Sequence, residues 1–284
     1  MLQLRNGGPR YWDLASGDDE GIFADLLTLV VKTRLEMQRR RVENPRSLLS
    51  FATWGISIGE PHVRPDSEAG VVMETHACSL VPFNVRTTAA AYWRMFSLSF
   101  TKDRLNVNDV SYLSRLPIMK ILGKGDPLHN LYGQTERSDV FARSFTCSST
   151  HFGRQIDMRG KHTCRKFVDE DGSITMVFAG RTGPADTNAP CHEVQIQKSG
   201  WVKVRQLEGQ DSDNQSSAMV EIHSEMLPRF RNGIVGQEHR AREVINYVVK
   251  SHHVMNDLCR QMLSELLVEE DWKAFRGDGT EVAA

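Results

Sequence analysis

Chemistry needs side chains that take up a proton, attack an atom or hold an ion, and here such groups are scattered. His162-x-Cys164 and Cys191-His192 offer four metal-ligating side chains between them, but neither pair has the spacing of a zinc knuckle. The run DEDG at 169–172 does not suit a calcium loop, because Ile174 stands where a loop counted from Asp169 needs its central glycine. No metal ligand set and no cofactor is therefore expected. There is no G-x-S-x-G elbow, GKG at 123–125 is not a P-loop, and no G-x-G-x-x-G follows a strand, so no catalytic residue is assigned. In SHHVMND, His252 falls beside an apolar helical stripe, where a satisfied or half-exposed histidine is the expectation. Arg143, Arg165, Arg181, Arg205 and Glu221 sit in runs that alternate with apolar neighbours, so most are expected to face water. One turned inward would need a partner and would suit the polar head of a ligand.

Composition bounds the rest. A chain of 284 residues with 40% hydrophobic content can bury a substantial core. Its 35 Lys+Arg against 36 Asp+Glu leave a net charge of −1, so no global positive field exists to hold nucleic acid or an anionic membrane. The N-terminal stretch MLQLRNGGPRYWDLASGDDEG has no signal-peptide core, and LLTLVV is far too short to span a bilayer. Five scattered cysteines suit reduced thiols. The expectation is a cytoplasmic protein, with the nucleus as the alternative, because QRRR at 38–41 reads first as a solvated helix end.

The elements that must position these residues follow from hydrophobic period. Residues 18–41 have helical spacing, with acidic residues first and RRR last, and Asn44-Pro45 stops them. SLLSFATWGISIG and EAGVVMETHACSLVPF read as strands around a polar loop at 60–69. In VPFNVRTTAAAYWRMFSLSF, Pro82 ends a strand, Thr87 or Thr88 caps a helix, and Ala89, Tyr92, Trp93 and Phe96 fall on one helical face. Short helices are expected in VNDVSYLSRLPIMKILGKG. From 136 to 227 short alternating runs describe an antiparallel meander, with hairpins at DEDG and at KSG (198–200) and a longer polar loop at 208–217. A stripe from Val244 to Leu267 then marks a long amphipathic helix, and KAFRGDGTEVAA reads as a disordered tail.

A many-stranded antiparallel sheet twists, and its hollow face must be covered. The long C-terminal helix is the element large enough to cover it, leaving a tapering space that is either filled with side chains or open to an apolar ligand.

The run VPFNVRTTAAAYWRMFS, with TCRKFVDEDGSITMVFAGRT and GWVKVRQLE, resembles the START-like domain of the oomycete mating-specific protein family over roughly residues 45–270. The resemblance implies an α+β helix-grip fold, a curved antiparallel sheet wrapped around a long C-terminal helix, whose best-known members bind sterols, phospholipids or other apolar molecules. Members often carry a basic, zipper-like helical region first; RLEMQRRRVENP is at most a remnant of it, so neither a zipper nor DNA binding is carried over. The division expected is a helical segment at 1–44, the START-like domain at 45–272 and a tail at 273–284.

The leading expectation is a non-catalytic module that binds an apolar small molecule, a lipid by resemblance, between sheet and helix. Its wall would comprise Val248, Met255 and Met262 from the helix, Met176, Phe178, Val202 and Val204 from strands, and Trp93 and Arg165 at the margins. Methionine suits such a wall because thioethers repack around varied ligands. One residue of register error inverts every strand side chain. A protein-interaction module with a filled cavity, meeting its partner through the N-terminal helix, is the second reading. An enzyme on the same scaffold is the third, and it would require two or more convergent polar groups in the cavity.

Overall fold

The computed structural model describes residues 14, 19–43, 52–67, 69–97, 108–111, 139–151, 154–186, 193–207 and 217–277. In chain order these form α1 (Asp19–Glu43), β1 (Thr53–Trp54), β2 (Glu60–Asp66), β3 (Gly70–Val81), α2 (Val85–Ser97), β4 (Asn108–Ser111), β5 (Val140–His151), β6 (Arg154–Val168), β7 (Ile174–Pro184), β8 (Val194–Gln206), β9 (Ala218–Phe230) and α3 (Glu238–Arg276). All nine strands join one sheet in the order β1-β3-β9-β8-β7-β6-β5-β4, with β2 also on β3. Every pairing is antiparallel except β1 with β3. The architecture is α+β, and the expected meander runs from β5 to β9.

Side-chain parity divides the sheet into two faces. Met176, Phe178, Val202, Val204, Val220 and Ile222 point one way, into a core shared with Ala89 and Tyr92 of α2 and Leu263 of α3. Val177, Ala179 and Trp201 point the other way and are covered by Ile22, Phe23, Leu26, Val30 and Met37 of α1. The face under α2 and α3 is called inner below, and the face under α1 outer. α3 packs on α2, β3 and β9, and α1 crosses β6, β7 and β8.

α1 changes the fate of the strand charges. Arg165, Arg181 and Glu221 lie on the outer face and are buried, not turned to water as expected, because the helix covers them. Buried cations are tolerated when matched, and carboxylates match Lys161, Lys203 and Arg181, while Arg165 lies over the Phe167 ring. Lys161 bonds Asp19, Arg181 lies 3.7 Å from Asp25, and Asp169 bonds Arg34 and stands 3.3 Å from Lys203. Arg40 reaches Glu225 at 2.8 Å and lies over the Trp201 ring.

Local readings differ in six places. Of SLLSFATWGISIG, only Thr53–Trp54 is strand among the described residues. The polar segment 60–69 is largely strand β2, an edge strand whose prolines lie where ladder donors are not all needed. Asn84, not a threonine, caps α2 by accepting the Thr87 amide at 2.8 Å. Residues 108–111 form strand β4 on β5, where a short helix was expected; the rest of that stretch and the loop 208–216 lie outside the described residues. KSG is no hairpin, since Lys198, Ser199 and Gly200 sit in the middle of β8. α3 continues past Trp272 to Arg276, where Gly277 takes a left-handed φ of 70° and donates its amide to Ala274. The hairpin at DEDG is present, with the Gly172 amide bonded to the Asp169 carbonyl.

Candidate functional site

The inner face carries its polar groups in one transverse row. Arg143 on β5 stands opposite His162 on β6, His162 opposite Gly180 on β7, and Gly180 opposite Lys198 on β8. Lys198 in turn faces Met226 on β9. Antiparallel neighbours lie about 4.8 Å apart, so three basic side chains span four strands, with a gap where Gly180 has none. Two residues along each strand, the next row is Phe141, Cys164, Phe178 and Gly200. The Phe178 ring lies over Gly200, where an added Cβ would meet it at 2.7 Å.

Aromatic rings frame the row. Phe96 of α2 stacks on His162 with centroids 6.3 Å apart, and Phe141 and Phe178 lie 5.6 and 6.1 Å from the same imidazole. The Lys198 ammonium stands 5.5 Å from the Phe178 centroid, and the Arg143 guanidinium 5.7 Å from that of Phe141, distances at which a ring face attracts a cation. Below the row the inner face is closed by core packing. At the row it is not, because Arg143, His162, Ile196, Lys198 and Met226 are all half-buried.

Burial sets the protonation of the row. Burial pushes the His162 imidazole well below its ordinary pKa, and the charges of Arg143 and Lys198 add to the effect. Burial also lowers the Lys198 ammonium, while Cys259 opposes it. Above the row, α3 contributes Cys259 and, one turn earlier, Asn256, whose side-chain oxygen is buried with no partner among the described residues. The Tyr92 hydroxyl and His162 Nδ1 are likewise buried without a described partner.

The expected wall residues meet this site unequally. Met176, Phe178, Val202 and Val204 are brought together on the inner face, where each is at most 2% exposed and packs in the core with Tyr92 and Leu263. Val248 lies with Val71, Met73, Ala241 and Ile245 in a separate cluster, Met262 is buried, and the Met255 side chain lies outside the described residues. Trp93 is half-buried and sits edge-on to Phe141 at 5.5 Å. Arg165 is not at the site; one step of parity from Cys164 puts it on the outer face, 4.9 Å over Phe167. Lys198, His162 and Asn256 were missed as site residues, and Arg143 is the strand charge that does turn inward, where most were expected to face water. Lys198 was hidden by the turn-like composition of KSG, and the period of two in RKFV, carried back to His162, was the signal for the histidine.

Other groups are accounted for. His252 donates from Nε2 to the Gly59 carbonyl at 3.0 Å, a satisfied histidine as expected. Glu74, His223 and Glu225 lie close enough to share an ion, but Arg64 bonds Glu74 and Arg40 bonds Glu225, each at 2.7–2.8 Å. Those guanidinium groups already supply the positive charge. Burial raises the Cys164 and Cys259 thiols, which keeps them protonated and poorly nucleophilic at neutral pH. Cys191 and His192 lie outside the described residues. A groove of about 500 Å³ also runs outside α3, between Phe83, Arg260, Gln261 and Leu267. Among the described residues no helix is long and apolar enough to cross a membrane.

No family model matches the chain and no curated protein matches it, so membership of the oomycete mating-specific family is not shown. Among solved structures, a STAR-related lipid transfer protein from Xanthomonas axonopodis is similar to 57% of this chain over 80% of its own, at 10% identity and a TM-score of 0.25. A likeness at that score carries no argument about ligand or activity.

Proposed function

We propose that this chain is a START-like module that binds a small, largely apolar molecule between the inner face of its sheet and α3, without catalysing a reaction. The helix-grip relation of sheet to α3 and a domain over 45–272 belong to the same proposal. One observation carries it: the inner face is filled over the Phe178 and Val202 rows but half-exposed at the His162–Lys198 row, directly under the helices. Concave, mostly apolar sites with a few polar groups are the usual form of a ligand pocket. The Cys164 and Cys259 thiols are protonated and no inward-pointing residue of β3 or of β5 to β9 is acidic, so the His162 imidazole has neither a thiolate nucleophile nor a carboxylate to work with. Native mass spectrometry of protein purified from cells, followed by organic extraction, tests the reading. A near-stoichiometric apolar adduct is expected; an apo mass with no uptake from a lipid extract rejects it.

The second reading is an interaction module that uses its surface. The stacked pair Trp272 and Phe275, with centroids 5.8 Å apart and exposures of 54% and 81%, favours it at the end of α3. The polar side of α1, where Leu35 is 54% exposed, is the other surface for such a partner.

A further inference from the structure

The outward side of α3 joins exposed apolar groups to unspent charge. Val268, Trp272 and Phe275 recur there at helical spacing, and Val268 is 63% exposed. Earlier on the same stripe come Asp257, Arg260, Gln261 and Ser264, which also form one bank of the groove beside Phe83. The charges on the flank of the helix are used within the chain, since Arg94 pairs with Glu269 and Glu270, and Lys273 with Glu270. On the outward stripe, Asp257, Arg260 and Asp271 form no ion pair with a described residue. Apolar side chains recurring along an exposed helix face mark a surface that another apolar surface covers, and the order of the charges identifies which one.

We propose that this stripe pairs antiparallel with the same stripe of a second copy of this chain. The proposal rests on the surface reading above, for which it names the partner, and is independent of the ligand-binding one. Arg260 and Asp271 are eleven residues apart, close to three whole turns, so they lie on one edge of the stripe; Gln261 and Trp272, with the same separation, lie on the other. A two-fold axis that crosses the contact midway between Ser264 and Val268, perpendicular to the plane of the two helices, keeps each edge on its own side. It brings Arg260 within about 1.5 Å, one residue's rise, of the level of the partner's Asp271, and by symmetry that contact is made twice. Trp272 meets the partner's Gln261, and Val268 meets the partner's Ser264, a side chain small enough to let two helices approach. A parallel pair would instead set each charge against its own like, which is repulsive. One helix face per copy makes a small interface, so a reversible dimer with a dissociation constant of roughly 10 µM is expected.

Analytical ultracentrifugation of the full chain, from well below to well above that concentration, tests the pairing. Wild type is expected to pass from monomer to dimer, and Trp272→Ser to remain monomeric without a change in melting temperature. Arg260→Glu and Asp271→Lys should each weaken the dimer roughly tenfold, because each sets two like-charged pairs in the contact. An equimolar mixture of those two variants should associate again, since the mixed dimer holds one wild-type pair and one pair of reversed sign. Damage to the fold cannot produce that recovery. A dimer that neither charge variant weakens overturns α3 as the contact, and a loss that mixing does not restore overturns the antiparallel pairing. A chain that purifies from cells bound to a different protein, and releases it in Trp272→Ser, overturns the second copy while the surface reading stands. A wild-type monomer at every concentration, with no protein bound, overturns both.

Discussion

At the scale of single residues, the absence of a side chain matters as much as its presence. Gly200 is the clearest case. A Cβ there would stand 2.2 Å from the His223 carbonyl oxygen and 2.7 Å from the Phe178 ring, and backbone cannot yield as a side-chain tip can. Gly200→Ala should therefore lower stability by about 3 kcal/mol, the upper end for overpacking, seen as a shift of the urea midpoint; an unchanged midpoint would show that Phe178 does not lie over β8. The composition that makes KSG look like a turn is thus explained by packing. A lysine, a serine and a glycine are poor strand formers, yet Gly200 is needed under a ring and Lys198 lies on the inner face against that same Phe178 ring.

At the scale of elements, α1 is fastened to the outer face by charge as well as by its apolar side. Burial alone would raise the Asp169 carboxyl, but Arg34 and Lys203 outweigh it and its pKa lies below the ordinary value. Glu225 is pushed down to about 2, first by its hydrogen bond with His223, with Arg40 contributing. Both folded-state values are depressed. The stability these groups contribute is therefore fully present above the unfolded pKa of about 4 and is lost as pH falls through the folded values. Asp169→Asn leaves Lys203 buried, with only the exposed Asp171 at 3.6 Å. The loss should be about 3 kcal/mol at pH 6, near the lower end for a broken buried pair. Urea titrations from pH 6 to pH 2 should show the wild-type and variant curves converging at the acid end. A gap that stays constant would mean that Asp169 does not act through its charge.

At the scale of the whole molecule, α3 binds three separate clusters into one body. Leu263 joins the core under α2, Leu266 and Leu267 pack on Ala91, and Ile245 and Val248 cover the β3 end of the sheet. Loss of a single buried leucine already costs 2–5 kcal/mol, a large part of a domain's stability of about 5–15. A chain ending at Val235 should show no cooperative thermal transition and should bind a dye for exposed apolar surface. A sharp transition in that truncated chain would place the core in the sheet and α1 alone.

Much of the fold was legible in the residues themselves. Period of two marked β3 and the strands from β5 to β9, and period of 3.6 marked all three helices, because those periods follow from backbone geometry and the need to bury one side. The same local rules put Met176, Phe178, Val202 and Val204 on one face. They did not reach the site. Arg143, His162, Gly180 and Lys198 are distant along the chain, and only strand register sets them side by side. Register depends on which strands pair and on whether β8 turns at KSG or runs straight through it. The covering of Arg165 and Arg181 was likewise decided in three dimensions, by α1 lying across strands far from it in sequence. The sequence alone determined the three helices, β3 and most of the strands from β5 to β9, and which of their sides is apolar, since neighbours on the chain control both. The tertiary structure decided which cations are neutralised and which residues share the His162 row, since charge pairing depends on distances that only the assembled sheet and helices define.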